Sequence, residues 1–65
     1  MSYEINVSLK GNHLFRTAMD SIPDTFTAGV VLRILRKKFT KKEGYDIHIT
    51  LWNTSGQDVT DKFED

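Results

Sequence analysis

Tyr3, Ile5, Val7 and Leu9 alternate with Glu4, Asn6, Ser8 and Lys10 at the start of the chain. A period of two with a single apolar face is the pattern of a half-buried strand, here predicted over 3–9. Gly11-Asn12 follows, and both residues tolerate the positive φ of a tight hairpin turn. The return strand is predicted over 13–20, with two registers open. A two-residue Gly11-Asn12 loop sets Leu14, Arg16 and Ala18 opposite Leu9, Val7 and Ile5. A three-residue Lys10-Gly11-Asn12 loop sets His13, Phe15, Thr17 and Met19 on that face instead. A slip of one residue exchanges the two faces, and the second register is preferred because it buries the larger groups.

Ser21-Ile22-Pro23-Asp24-Thr25 breaks the alternation, and Asp24 or Thr25 can cap a helix. Over 25–42 the period becomes 3.6, with Ala28, Val31, Leu32, Leu35 and Phe39 on one stripe and Gly44 as the stop signal. A helix of that length, about 25 Å, matches an eight-residue strand and can lie along it. Tyr45, Ile47, Ile49 and Leu51 then alternate with Asp46, His48, Thr50 and Trp52, which predicts a strand over 45–52. Asn53 to Gly56 is a turn, 57–60 a short strand or turn, and Phe63 is placed to staple the tail. The expected fold is α+β: a single domain of ββαβ order, with an antiparallel or mixed sheet of 3–4 strands and one helix on one face. Such a fold covers only one side of its sheet.

Composition narrows the function. Sixty-five residues make one domain. With no cysteine there is no disulfide framework and no thiol chemistry. Nine basic and nine acidic residues cancel, which removes the composition argument for a strongly basic binder of nucleic acid or anionic membrane. The longest apolar run is Val30-Val31-Leu32, too short to span a bilayer, and residues 1–4 lack the features of a signal peptide. A cytoplasmic protein with no membrane partner is expected.

Enzyme chemistry fails on inventory. His13 and His48 fall on different strands without the spacing of a metal pair. Asp46 and His48, with Ser8 or Thr50 nearby, superficially suggest a triad, but mixed polar residues are what the solvent face of a strand carries. The glycines are scattered, so no phosphate-cradling loop exists. No catalytic residue, metal or cofactor is expected.

Charge placement says more than charge total. Arg33, Arg36, Lys37, Lys38, Lys41 and Lys42 lie within ten positions with no acid between them. Bases at a helix C-terminus stabilise it through the helix dipole, by about 0.3–1 kcal/mol each, which explains the polarity but not the number. The alternative is a contact surface for an acidic partner. Val30, Ile34 and Phe26 project away from the core stripe: either the tail residues Val59 and Phe63 cover them, or they form an apolar strip flanked by Arg33 and Lys37. Trp52 is a third candidate, on the outer sheet face beside His48 and, by register, either Leu14 or Phe15; with Phe15 and Arg16 both near it, stacking of single-stranded bases would be conceivable. The candidate partner-binding residues are therefore Arg33, Arg36, Lys37, Lys38, Lys41, Val30, Ile34 and Trp52.

The hairpin–helix–strand order from Tyr3 to Trp52, with Pro23-Asp24-Thr25 leading into the helix, resembles the β-grasp core of ubiquitin-like domains. In size and ββαβ order the chain is also similar to small phage-encoded inhibitors that bind host RNA polymerase or RNA-guided defence complexes. Both resemblances rest on architecture and carry no functional residues across. The basic helix end on a neutral chain without catalytic groups, together with the second resemblance, leads to the expectation of a non-catalytic protein-binding module, a phage or mobile-element inhibitor that occupies a surface of a larger host complex. Two other readings stand beside it: a nucleic-acid binder that uses the basic helix end and Trp52, and a homodimer joined through the uncovered sheet face.

Overall fold

The N-terminal alternation becomes the centre of the sheet. A computed structural model of the chain, describing residues 1–18 and 20–63, contains β1 (Ser2–Leu9), β2 (Asn12–Arg16), α1 (Thr25–Lys38), β3 (Tyr45–Trp52) and β4 (Gly56–Asp58). Two short 3-10 helices, Lys41–Glu43 and Thr60–Lys62, flank β3 and follow β4. The strand order is β2-β1-β3-β4. Every neighbouring pair is antiparallel, so β2 and β3 run parallel with β1 between them and α1 makes the crossover. This is the expected α+β architecture, with four strands and one helix.

β1 and β3 pair along their full lengths, Tyr3 opposite Leu51, Ile5 opposite Ile49 and Val7 opposite Ile47. Those residues face α1, whose Ala28 and Leu32 meet them. Ile5, Val7, Ile49, Ala28 and Leu32 are at most 1% exposed, so the core lies between α1 and the two central strands. Ile22 and Val59 close its two sides. Tyr3 ties the layers together: its hydroxyl bonds Thr25 Oγ1 at 2.8 Å, and its ring packs edge-on against Phe63 at 5.8 Å.

The hairpin differs from both predicted registers. The turn is Lys10-Gly11, with φ of 50° and 85°, the two positive values of a type I′ turn. It sets Leu9 opposite Asn12 and Ser8 opposite His13, which puts His13 on the outer face. Val7 is then opposite Phe15, so Leu14 is an extra residue, a β-bulge that restores the preferred register for Phe15. The predicted strand over 13–20 stops at Arg16. Beyond it Thr17 substitutes for the ladder, its N–H donating to Ile5 O and its Oγ1 accepting from Ile5 N–H. Met19, which the preferred register turned toward the core, lies outside the described residues.

The helix predicted over 25–42 also ends early, at Lys38. Asp24 caps its start, Oδ1 accepting from the Thr27 N–H at 2.7 Å. At the other end Phe39 leaves helical geometry and stacks edge-on between Phe15 and Tyr45, at 5.5 and 5.1 Å. Thr40-Lys41-Lys42-Glu43 then makes its own turn, a Thr-x-x-Glu pattern closed by a 2.8 Å hydrogen bond from Thr40 Oγ1 to Glu43. Gly44 serves as the stop of that turn, at φ 100°. β4 covers 56–58 where 57–60 was predicted, because Val59 and Thr60 already bond back to Ile49. No helix among the described residues is long and apolar enough to cross a membrane.

Candidate functional site

The outward face of α1 lies opposite the core stripe. Phe26, Val30 and Ile34 are 82%, 42% and 58% exposed there, so neither Val59 nor Phe63 covers them. Val59 is instead buried in the core, and Phe63 packs on Tyr3. Spacing of four residues keeps the three side chains on one line along the helix. Arg33 and Lys37 lie on the same face, and Lys38, Lys41 and Lys42 continue the positive charge beyond it, all exposed. Among the described residues none of these five cations makes an ion pair. Arg36 points differently: it is half-buried, and its Nη1 donates to the Phe63 carbonyl, pinning the tail against the helix.

Beside this face runs a groove of about 580 Å³ between α1 and the β4 side of the sheet. Tyr3, Leu32, Leu51 and Val59 form its floor, and Phe26, Gly29 and Val30 its helix wall. Gln57 and Lys62 stand on the opposite side, with Arg33 and Arg36 along the helix. Among the described residues the lining contains three cations and no acid. Gly29 leaves the wall open, since a Cβ there would meet nothing within 4 Å. Sequence reasoning missed the groove. The available signal was geometric: four strands spaced about 4.8 Å apart are wider than one helix of about 10–12 Å diameter can cover.

The other side of the sheet carries Glu4, Asn6, Ser8, His13, Arg16, His48, Thr50 and Trp52. Its polar groups are largely engaged with one another. Asn6 Nδ2 donates to Glu4 at 3.2 Å, His13 Nε2 lies 3.3 Å from Asn6 Oδ1, and Arg16 is 3.9 Å from Glu4. Trp52, 40% exposed, lies over Gly56, where a Cβ would come within 2.6 Å of its ring. Phe15 points to the helix side, against Phe39, so the paired Phe15–Trp52 platform considered for base stacking does not form. Trp52 and the basic helix end also lie on opposite sides of the sheet and do not make one surface.

A second depression, about 630 Å³, lies along β3 where β4 no longer pairs with it, and is lined by Phe39, Tyr45, Ile47, His48, Asp58 and Asp61 among others. Of its three acids, Asp58 is already committed. Asp58 Oδ1 accepts from Thr60 N–H at 2.9 Å and from Thr60 Oγ1 at 2.6 Å, and its other oxygen is 3.5 Å from His48 Nδ1. The Thr60 hydroxyl and N–H, aided by the neighbouring His48 ring, hold the Asp58 carboxyl below its ordinary range. His48 and Asp58 are both more than half exposed, so water screens the pair. Among the described residues no group of three or more His, Cys, Asp or Glu is arranged to hold a metal.

Comparison with protein-family models, with curated proteins and with solved structures found no match to this chain.

Proposed function

We propose that the chain is a small non-catalytic protein-binding module that docks through the outward face of α1 on an acidic surface of a larger partner. Blocking that surface, as small phage-encoded inhibitors do, is part of the proposal. The observation that carries it is the position of Phe26, Val30 and Ile34. Three large apolar side chains stand in water on the helix face opposite the core, directly beside Arg33 and Lys37. The fold gains little from apolar groups there, while an interface uses an apolar centre with a charged rim for adhesion and orientation. Trp52 lies apart from the cations, which leaves Phe26, among the described residues, as the single exposed ring beside them, where single-strand binding uses a succession of stacking rings.

The test is cross-linked capture from the native cytosol, quantified by mass spectrometry, with wild type, Ile34→Asp and the double variant Lys37→Glu, Lys38→Glu. All three positions are exposed, so the fold should persist. A defined protein partner should be captured by wild type and reduced by at least about tenfold in both variants. Equal capture by all three proteins would refute the reading. So would a gel shift with DNA or RNA that weakens steeply with salt and is lost in the lysine variant, which would establish the nucleic-acid alternative.

A further inference from the structure

The groove deepens this picture and names the shape of the partner, an inference that rests on the protein-binding reading above. We propose that the groove between α1 and β4 receives an acidic amphipathic helix from a partner protein, laid alongside α1 as the second helix of an incomplete layer.

Three observations converge on that occupant. The first is coverage. α1 packs on β1 and β3, and Gln57, the β4 residue on the helix side, stays exposed. Helices pack about 8–10 Å apart, close to the width of two strands, so the strip beside α1, bounded at its Arg36 end by Phe63, is wide enough for one more helix. The second is the wall. Gly29 sits mid-helix facing open space, flanked on the groove side by Phe26 and Val30, and its missing side chain lets a neighbouring backbone approach. The third is charge. Arg33 and Lys62 stand on opposite rims, and among the described residues neither makes an ion pair and no carboxylate lines the groove. An occupant with apolar residues toward Leu51 and Val59 and carboxylates on both flanks meets every part of that lining.

The same charges argue against a second copy as occupant. α1 carries Arg33, Arg36, Lys37 and Lys38 and no acid between Thr25 and Lys38. Placing that helix in the groove of another copy sets cations against cations.

The experiment titrates the ¹⁵N-labelled full chain with a designed, end-capped helical peptide of about 14 residues, leucines on one face and glutamates on both flanks. A twin with lysine in place of every glutamate is the control. Saturable amide shifts are expected at Gly29, Arg33, Gln57 and Lys62 with the glutamate peptide, weakened in about 0.5 M salt and absent with the lysine twin. Gly29→Leu is the blocking variant. Nothing lies within 4 Å of the added Cβ, and leucine favours a helix more than glycine does, so the fold should be kept. It should weaken the peptide by at least about tenfold while the rest of the spectrum is preserved. Three results would each overturn the proposal: no shifts at millimolar glutamate peptide, equal binding of the lysine twin, or undiminished binding by Gly29→Leu. Self-association detected by light scattering, with the same four amides shifting as protein concentration rises, would assign the groove to a second copy and overturn it too. Capture of the native partner separates this failure from that of the broader reading. Loss with Ile34→Asp but not with Gly29→Leu ends the groove proposal alone, and loss with neither ends both.

Discussion

Gly56 and Trp52 form one packing unit. They are directly opposite across β3 and β4, and the indole covers the space that a side chain at 56 would fill. An aromatic ring over a cross-strand glycine shields backbone that the glycine leaves bare, at an otherwise short sheet edge. The contact gives Trp52 a role within the fold, which the sequence could not show because it depends on which residue β4 sets opposite. Gly56→Ala tests it. The new Cβ would sit 2.6 Å from the ring, so the indole must move. Crowding of this kind costs about 1 kcal/mol. Trp52 is the only tryptophan, so its emission should shift to the red in Gly56→Ala, with a lower urea midpoint. An unchanged spectrum would mean that the ring does not rest on residue 56 in solution.

Two carboxylates hold element ends in place, and both make the fold sensitive to acid. The Thr27 N–H at the start of α1 lowers the pKa of Asp24, and the Thr60 hydroxyl and N–H after β4 lower that of Asp58, each from an ordinary 3.8. Each group therefore binds fewer protons folded than unfolded in the interval below 3.8. Their contribution is complete above that value and is lost as pH falls through the folded pKa. Thermal melts of wild type should lose midpoint between pH about 4 and 2, and Asp24→Asn with Asp58→Asn should flatten that slope while keeping the caps, since asparagine also accepts these bonds. The elements themselves were largely legible. Strict alternation fixed β1 and β3, and the helical stripe from Ala28 to Phe39 gave the correct core face. What misled was competition between local signals. Lys10-Gly11 forms the turn, yet Phe15 must face the helix, and only the extra Leu14 satisfies both. A bulge has no periodic signature, so neither uniform register could be right. Likewise Phe39 continues the helical stripe in sequence but ends α1, because its place is set by Phe15 and Tyr45 on other strands. The basic run was visible as a run, but the turning of Arg36 toward the Phe63 carbonyl was not.

At the scale of the whole molecule, two isoleucines separate what folds the chain from what it leaves available. Ile49 is fully buried between β1, β3 and α1, whereas Ile34 is 58% exposed on the far side of the helix. A chain of 65 residues at about 0.05–0.15 kcal/mol per residue has about 3–10 kcal/mol of stability in total. Emptying a core site costs about 2–5 kcal/mol, so Ile49→Ala should remove a large share of that stability and move the urea midpoint down by a corresponding share. Ile34→Ala should change the unfolding free energy by less than about 0.5 kcal/mol, as exposed substitutions do. The contrast has a consequence for the surface. Exposed isoleucine is neither needed by the isolated fold nor favoured by solubility, so its neutrality in the melt would leave binding as its physical use. If Ile34→Ala instead cost as much as a core change, the stripe would already be covered in solution by another copy. The cost would then grow with protein concentration, because association stabilises the folded state by mass action. Urea melts of both variants at two protein concentrations a hundredfold apart distinguish these cases.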